Sequence, residues 1–148
     1  MDFTGKVVVI TGASSGIGEA LVYAFADRGA KVVMGARNSA KLAEIAAQLF
    51  TRGIESAFEA TDVTREEDCK RLIDKALSAF GRIDILICNA GISMRALFDD
   101  VQLDVLRQLM DVNFWGTVYC AKYALPALQA AKGTLVGVSS VAGMHGLP

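Results

Sequence analysis

Short β-branched, apolar runs alternate along the chain with segments whose apolar residues recur at helical spacing. That alternation limits the fold more than any other feature of the sequence. Lys6–Ile10, Lys31–Gly35 and Ile54–Ala60 read as strands, as do "IDILICNAG" (83–91), which runs into a loop, and "GTLVGVSS" (133–140). Continuous apolar runs of this kind suit strands covered on both faces. Between them, Ile17, Ala20, Leu21, Ala24 and Phe25 form a helical stripe that stops at Gly29, and Leu42, Ile45, Ala46 and Leu49 form a second behind a Ser39 N-cap. "TREE" (64–67) reads as a capping box, followed by an inner face of Leu72, Ile73, Ala76, Leu77 and Phe80 before Gly81. A long helix is expected from about Val101 to Lys132, interrupted or ended near Pro126. Strands and helices in strict alternation predict an α/β fold with a doubly wound parallel sheet. No repeat, low-complexity tract or linker divides residues 1–148, so one domain is expected.

A chain of 148 residues with 53% hydrophobic content is large and apolar enough for a packed core. Its 15 basic and 16 acidic residues leave a net charge of −1, which favours neither nucleic acid nor an anionic membrane as partner. No apolar run is long enough to span a bilayer. "MDFTGK" leads into "VVVI" without a basic region or a cleavage site, so a cytoplasmic location is expected. Cys69, Cys88 and Cys120 lie far apart among apolar residues and read as reduced core thiols, with no metal spacing.

"VVVITGASSGIGEA" puts Gly12, Gly16 and Gly18 between the first strand and the first helix. A diphosphate can sit there on exposed backbone N–H groups at the helix N-terminus. Glycine permits the turn and lets the backbone approach phosphate without an obstructing Cβ. The spacing is G-x3-G-x-G, not G-x-G-x-x-G, and a tight turn without a ligand would use the same residues. Ser14 and Ser15 can donate to phosphate or cap the helix.

"TGASSGIG" (11–18), "NAG" (89–91) after the fourth strand, "DVN" (111–113) and "SS" (139–140) occur in that order. Together they resemble the motifs of the classical short-chain dehydrogenase/reductase family over essentially the whole chain. The resemblance implies a Rossmann-like fold whose last strands lie beyond this chain. It also implies hydride transfer between a nicotinamide cofactor and a carbonyl or alcohol substrate, in a homodimer or homotetramer.

On that resemblance, Gly12, Ser14, Ser15, Gly16, Ile17 and Gly18 are expected at the cofactor together with Asn89, Ala90 and Gly91, where Asn89 ties neighbouring strands together and Gly91 gives the ribose access to backbone. Asp62 and Val63 resemble the pair that contacts adenine, although Asp62 also serves as a plain helix-entry acid. The end of the second strand reads "VVMGARN". Ala36 stands where a carboxylate would bind the ribose diol, and Arg37 follows, which favours a 2′-phosphate and hence NADP(H) over NAD(H). Arg37 can equally be a solvated surface residue.

Asn113 shares a helical stripe with Leu106, Leu109, Met110, Thr117, Ala121 and Ala124, so its amide is expected to face inward. It is either a structural bond to backbone or, by resemblance, the Asn that holds a water in a proton relay. Ser140, by its spacing to Gly143 and the closing "GLP", matches the family's catalytic serine, whose hydroxyl holds the substrate oxygen. Ser139 would support it, and a turn-forming pair remains the alternative. His145 reads as a loop residue and not as a base.

The family's Tyr-x-x-x-Lys pair is absent, since Tyr23, Tyr119 and Tyr123 lack a lysine four residues on. It is expected just beyond Pro148, so the 148 residues alone are expected to be inactive. With "TLVGVS" as a bare apolar edge strand, they are also expected to be unstable or to associate. A shortened, non-catalytic nucleotide-binding module is the second reading. A Rossmann-like methyltransferase is a third, disfavoured by Arg37 where an acid is normally required.

Overall fold

A computed structural model describes residues 2–141; Gly143, His145 and the closing "GLP" lie outside the described residues. Five strands form one parallel sheet in the order β3-β2-β1-β4-β5: β1 (Val7–Thr11), β2 (Lys31–Ala36), β3 (Ser56–Ala60), β4 (Ile85–Cys88) and β5 (Thr134–Gly137). The sheet is the expected doubly wound one. The chain winds outward from β1 to β3, then returns to the other side of β1 for β4 and β5. The direction therefore switches between β1 and β4, where the strand ends part and a crevice opens.

Successive side chains of β1 point to opposite faces, which divides the core. Val7 and Val9 pack with Leu72, Ile73 and Ala76 of α3 (Glu66–Phe80) and Cys120, Ala124 and Leu128 of α5 (Gly116–Ala131). Val8 and Ile10 pack with Val22 and Ala26 of α1 (Gly16–Ala26) and Leu42, Ile45 and Leu49 of α2 (Ser39–Thr51). Burial on both faces is why β1 carries no polar residue before Thr11.

Several local expectations are corrected. The buried stripe of α1 is Gly18, Val22 and Ala26, one residue out of phase with the predicted face, and Ile17 is 65% exposed. Gly18 sets the phase. A Cβ there would overlap the Gly12 carbonyl oxygen and come 2.6 Å from Asn89 Nδ2, so only glycine lets this face press on the turn. The N-cap of α2 is Asn38, whose side chain accepts the Lys41 N–H at 3.0 Å, and not Ser39. The "TREE" capping box does not form. Asp62 instead accepts both the N–H and the hydroxyl of Thr64, and Arg65 occupies the cap position without a side-chain bond. β3 begins at Ser56, two residues later than expected.

The long helix is two helices, α4 (Leu103–Met110) and α5, joined by a π-helical turn at Asp111–Trp115. The break comes at that turn. At Pro126 the helix continues, because proline removes one exposed backbone bond while Ala124 and Leu128 hold the same buried face. No helix among the described residues is long and apolar enough to cross a membrane. β5 is the edge strand, with Leu135, Val136 and Val138 all exposed.

Candidate cofactor cleft

Over the switch point lies a cleft of about 910 Å³, at the carboxyl ends of β1, β2 and β3 and the loop after β4. Gly12, Ser14, Ser15 and Ile17 form one wall, Arg37, Asp62 and Val63 another, and Asn89, Ala90 and Gly91 the third. Gly16 and Gly18 do not line it. Gly18 lies buried under the turn and Gly16, at φ +54°, shapes it.

The turn is bolted to β4 by Asn89, which ties neighbouring strands together as expected, and by a hydroxyl that sequence reasoning passed over. Thr11 ends β1 almost fully buried, and its Oγ1 accepts the N–H of Asn89 and of Ala90, both at 3.0 Å. Asn89 returns the bond by donating Nδ2 to the Thr11 carbonyl at 3.0 Å. A hydroxyl at the end of an otherwise apolar strand was the one visible sign.

Asp68 was missed in the same way. Its carboxylate accepts the Asp62 N–H at 3.0 Å and the Arg71 guanidinium at 2.7 Å, fixing the Asp62–Thr64 wall. Burial pushes the Asp68 carboxyl up, but the Asp62 N–H and Arg71 outweigh it and hold it below the ordinary value. Thr61, Thr64, Gln108, Asp111 and Val112 also line the cleft, where none of them was expected.

α1 starts without a side-chain cap, so the N–H groups of its first turn remain for a ligand. Arg37 is the one cation among the described lining residues. Its guanidinium makes no ion pair or hydrogen bond within them, and Ala36 beside it puts no carboxylate at the end of β2. A nucleotide fits this donor set: free amides on a glycine turn at one end, an uncommitted guanidinium at the other.

The two residues expected to be catalytic lie outside the cleft lining. Asn113 does not face inward as predicted but is exposed. It sits in the π turn, where the extra residue takes it off the face buried from Gly116 onward. Its Oδ1 accepts the Ile92 N–H and its Nδ2 donates to the Ile92 carbonyl, each at 2.9 Å, which ties the loop after β4 to this turn. Ser139 and Ser140 follow the β4–β5 pairing, past the Val138 N–H that donates to the Cys88 carbonyl, and both are exposed. They share the carboxyl edge of the sheet with Asn89. Among the described residues no group of three or more His, Cys, Asp or Glu side chains could hold a metal ion.

A five-stranded parallel sheet with a glycine turn at its switch point defines a Rossmann-like nucleotide-binding protein. The family model described as short chain dehydrogenase matches residues 6–148, and the chain belongs to that family. It is similar to 11-beta-hydroxysteroid dehydrogenase A of Sesamum indicum, at 43% identity over 141 residues, covering 94% of this chain and 40% of that protein. The corresponding protein of Arachis hypogaea is 45% identical over 139 residues, or 93% of this chain and 40% of its own. The chain thus spans about 40% of the length of these curated relatives.

Among solved structures, a Burkholderia phymatum short chain dehydrogenase/reductase in complex with NAD superposes with a TM-score of 0.94 at 31% identity, over 100% of this chain and 53% of that one. A Thermococcus sibiricus alcohol dehydrogenase complexed with 5-hydroxy-NADP gives 0.86 at 33% identity, over 88% of this chain and 56% of that one.

Proposed function

We propose that this chain is the cofactor-binding part of an NADP(H)-dependent oxidoreductase acting on a carbonyl/alcohol pair. The observation that carries the proposal is the cleft at the switch point, with its uncapped helix end and an Arg37 guanidinium that has no partner among the described residues. The two solved relatives bind NAD in one case and an NADP derivative in the other, so the choice rests on this chain's own residues. Arg37 supplies the bidentate, charge-assisted donors that a 2′-phosphate requires, and Ala36 supplies no carboxylate to repel it.

The first turn of α1, with Ser14 and Ser15, holds the diphosphate; Asp62 and Val63 flank the adenine; Asn89, Ala90 and Gly91 present backbone to the ribose. When bound, the nicotinamide supplies or accepts the hydride. Ser140 positions the substrate oxygen and stabilises the charge that develops on it. Asn113 has one Nδ2 hydrogen and one Oδ1 lone pair beyond its Ile92 bonds, and these can hold a relay water. Proton transfer to the substrate belongs to a Tyr-x-x-x-Lys pair carried by the longer protein, so the 148 residues bind nucleotide without turnover. The family's subunit-contact helix corresponds to the segment after Asp99, and a homodimer or homotetramer is the assembly we propose.

The test is NADPH oxidation by the full-length protein against a panel of ketones, opened with keto-steroids because of the relatives' names. Carbonyl-dependent turnover that falls at least tenfold in Ser140→Ala supports the assignment. NADPH binding without turnover on any carbonyl would favour the non-catalytic module.

A further inference from the structure

An acidic side chain in the first turn of a helix ordinarily serves that helix's own free N–H groups. Asp68, in the first turn of α3, does not. It is 7% exposed, and its Oδ2 reaches back out of the helix to accept the Asp62 N–H at 3.0 Å. Its Oδ1 accepts the Arg71 guanidinium at 2.7 Å, which holds the carboxylate against rotation, and Arg71 in turn lies 3.7 Å from Glu59 of β3. Cys69, Leu72, Ile73 and Ala76 anchor α3 in the core, so Asp68 is a fixed point from which the cleft wall hangs.

What hangs from it is Asp62, which lines the cleft. The two oxygens of the Asp62 carboxylate are not equivalent. Oδ1 accepts both the N–H of Thr64 at 3.0 Å and its hydroxyl at 2.8 Å, whereas Oδ2 has no partner among the described residues. Backbone and side chain leave the same Cα. With the N–H held by Asp68 and Oδ1 held by Thr64, Oδ2 is confined to one place. A carboxylate oxygen accepts hydrogen bonds and does not donate them, so a ligand there must bring a donor.

We propose that Asp68 is the positioning residue for the base of the dinucleotide: by holding Asp62 in place, it makes the cleft select adenine over a purine that carries an oxo group instead. The inference rests on the reading that the base lies against Asp62. The exocyclic amino group of adenine donates to Oδ2. Hypoxanthine has a carbonyl oxygen at that atom and sets two acceptors against each other, a mismatch that a polar site rejects strongly only when its groups cannot move aside. Asp68 supplies that rigidity. Without its carboxylate the Asp62 N–H loses its acceptor, the peptide turns more freely, and Oδ2 can leave the mismatch. Thr61 is tied separately, by its N–H to the Ala36 carbonyl at 2.9 Å, so the wall stays attached beside Arg37.

The probes are NADPH and its hypoxanthine analogue, titrated against the full-length protein. Wild type should bind NADPH at least about tenfold more tightly than the analogue. Asp68→Ala should bring that ratio below about threefold and leave the ratio of NADPH to NADH affinity as in wild type. Asp68→Asn, whose amide oxygen still accepts the Asp62 N–H, should keep the wild-type base ratio. Because Asp68 is buried, Arg71→Ala, at a half-exposed side chain, is the second variant and should narrow the base ratio in the same direction. Reading the base ratio with NADH and its analogue as well keeps the result independent of the 2′-phosphate. Wild type that binds adenine and hypoxanthine dinucleotides alike overturns the proposal. So does a base ratio unchanged in Asp68→Ala or, should that variant not fold, in Arg71→Ala, because uniform weakening marks a structural role alone. An Asn variant that discriminates no better than the Ala variant overturns it too. Failure to bind any dinucleotide overturns the cofactor reading itself, and this inference with it.

Discussion

The Thr11 hydroxyl joins two halves of the cleft through a single atom. It is buried at the end of β1 and accepts the N–H groups of both Asn89 and Ala90. Thr11→Val keeps the shape and strands the Ala90 N–H, while the Asn89 N–H keeps its bond to the Ile87 carbonyl at 3.1 Å; an unsatisfied buried donor costs about 1–3 kcal/mol. Urea unfolding should show a loss of that order, while Thr11→Ser, which keeps the hydroxyl, should lose less. Thr11 was not legible as a bolt, because an isolated hydroxyl in an apolar run does not disclose its partners 78 residues away. A structural bond to backbone was one of the two readings of Asn113, and the structure shows it, but Ile92 as the partner was hidden for the same reason. By contrast, the glycines of the turn were legible because their requirement is local: Gly12 and Gly16 take positive φ, and Gly18 has no room for a Cβ.

At the scale of elements, the far end of the sheet is held by one buried carboxylate. Asp84 accepts the Val7 N–H, the Lys6 ammonium and two guanidinium nitrogens of Arg82, and its backbone carbonyl accepts the Thr134 N–H that starts β5. Burial alone would raise this carboxyl, but Arg82, the Val7 N–H and Lys6 outweigh it and hold it below its ordinary 3.8. A carboxyl lowered by folding stabilises the fold fully above its unfolded value, and that contribution is lost as pH falls through the folded value. Thermal unfolding from pH 7 to pH 2 should therefore show wild type losing stability towards acid. Asp84→Asn should be weaker at pH 7 and flatter below pH 4; an equally steep acid slope in the variant would place the effect elsewhere.

The order and number of strands were legible because a parallel sheet covered on both faces needs continuous apolar runs. Helix detail was not. The face of α1 was set by a glycine contact that hydrophobicity does not encode, and the π turn shifted the helical phase just where Asn113 lies. Asn38 and Asp62 took over from Ser39 and the Thr64 box because turn geometry, and not residue type, decides which side chain reaches a free N–H.

For the molecule as a whole, β5 ends the sheet with Leu135, Val136 and Val138 exposed, which makes its edge a template for further pairing. The 148 residues by themselves should therefore show concentration-dependent association in sedimentation, reduced by Leu135→Lys; a stable monomer at every concentration would contradict this. The same architecture puts the cleft at the switch point, and membership of the short chain dehydrogenase family agrees with a nucleotide there. The most direct measurement is a titration of the full-length protein with NADPH and with NADH, for wild type and for Arg37→Ala. A charged hydrogen bond is worth about 1.5–3 kcal/mol. Wild type should bind NADPH at least about tenfold more tightly than NADH, and the variant should lose that preference while binding NADH unchanged. Equal affinity of wild type for both dinucleotides, or a preference for NADPH that survives in Arg37→Ala, would contradict the account.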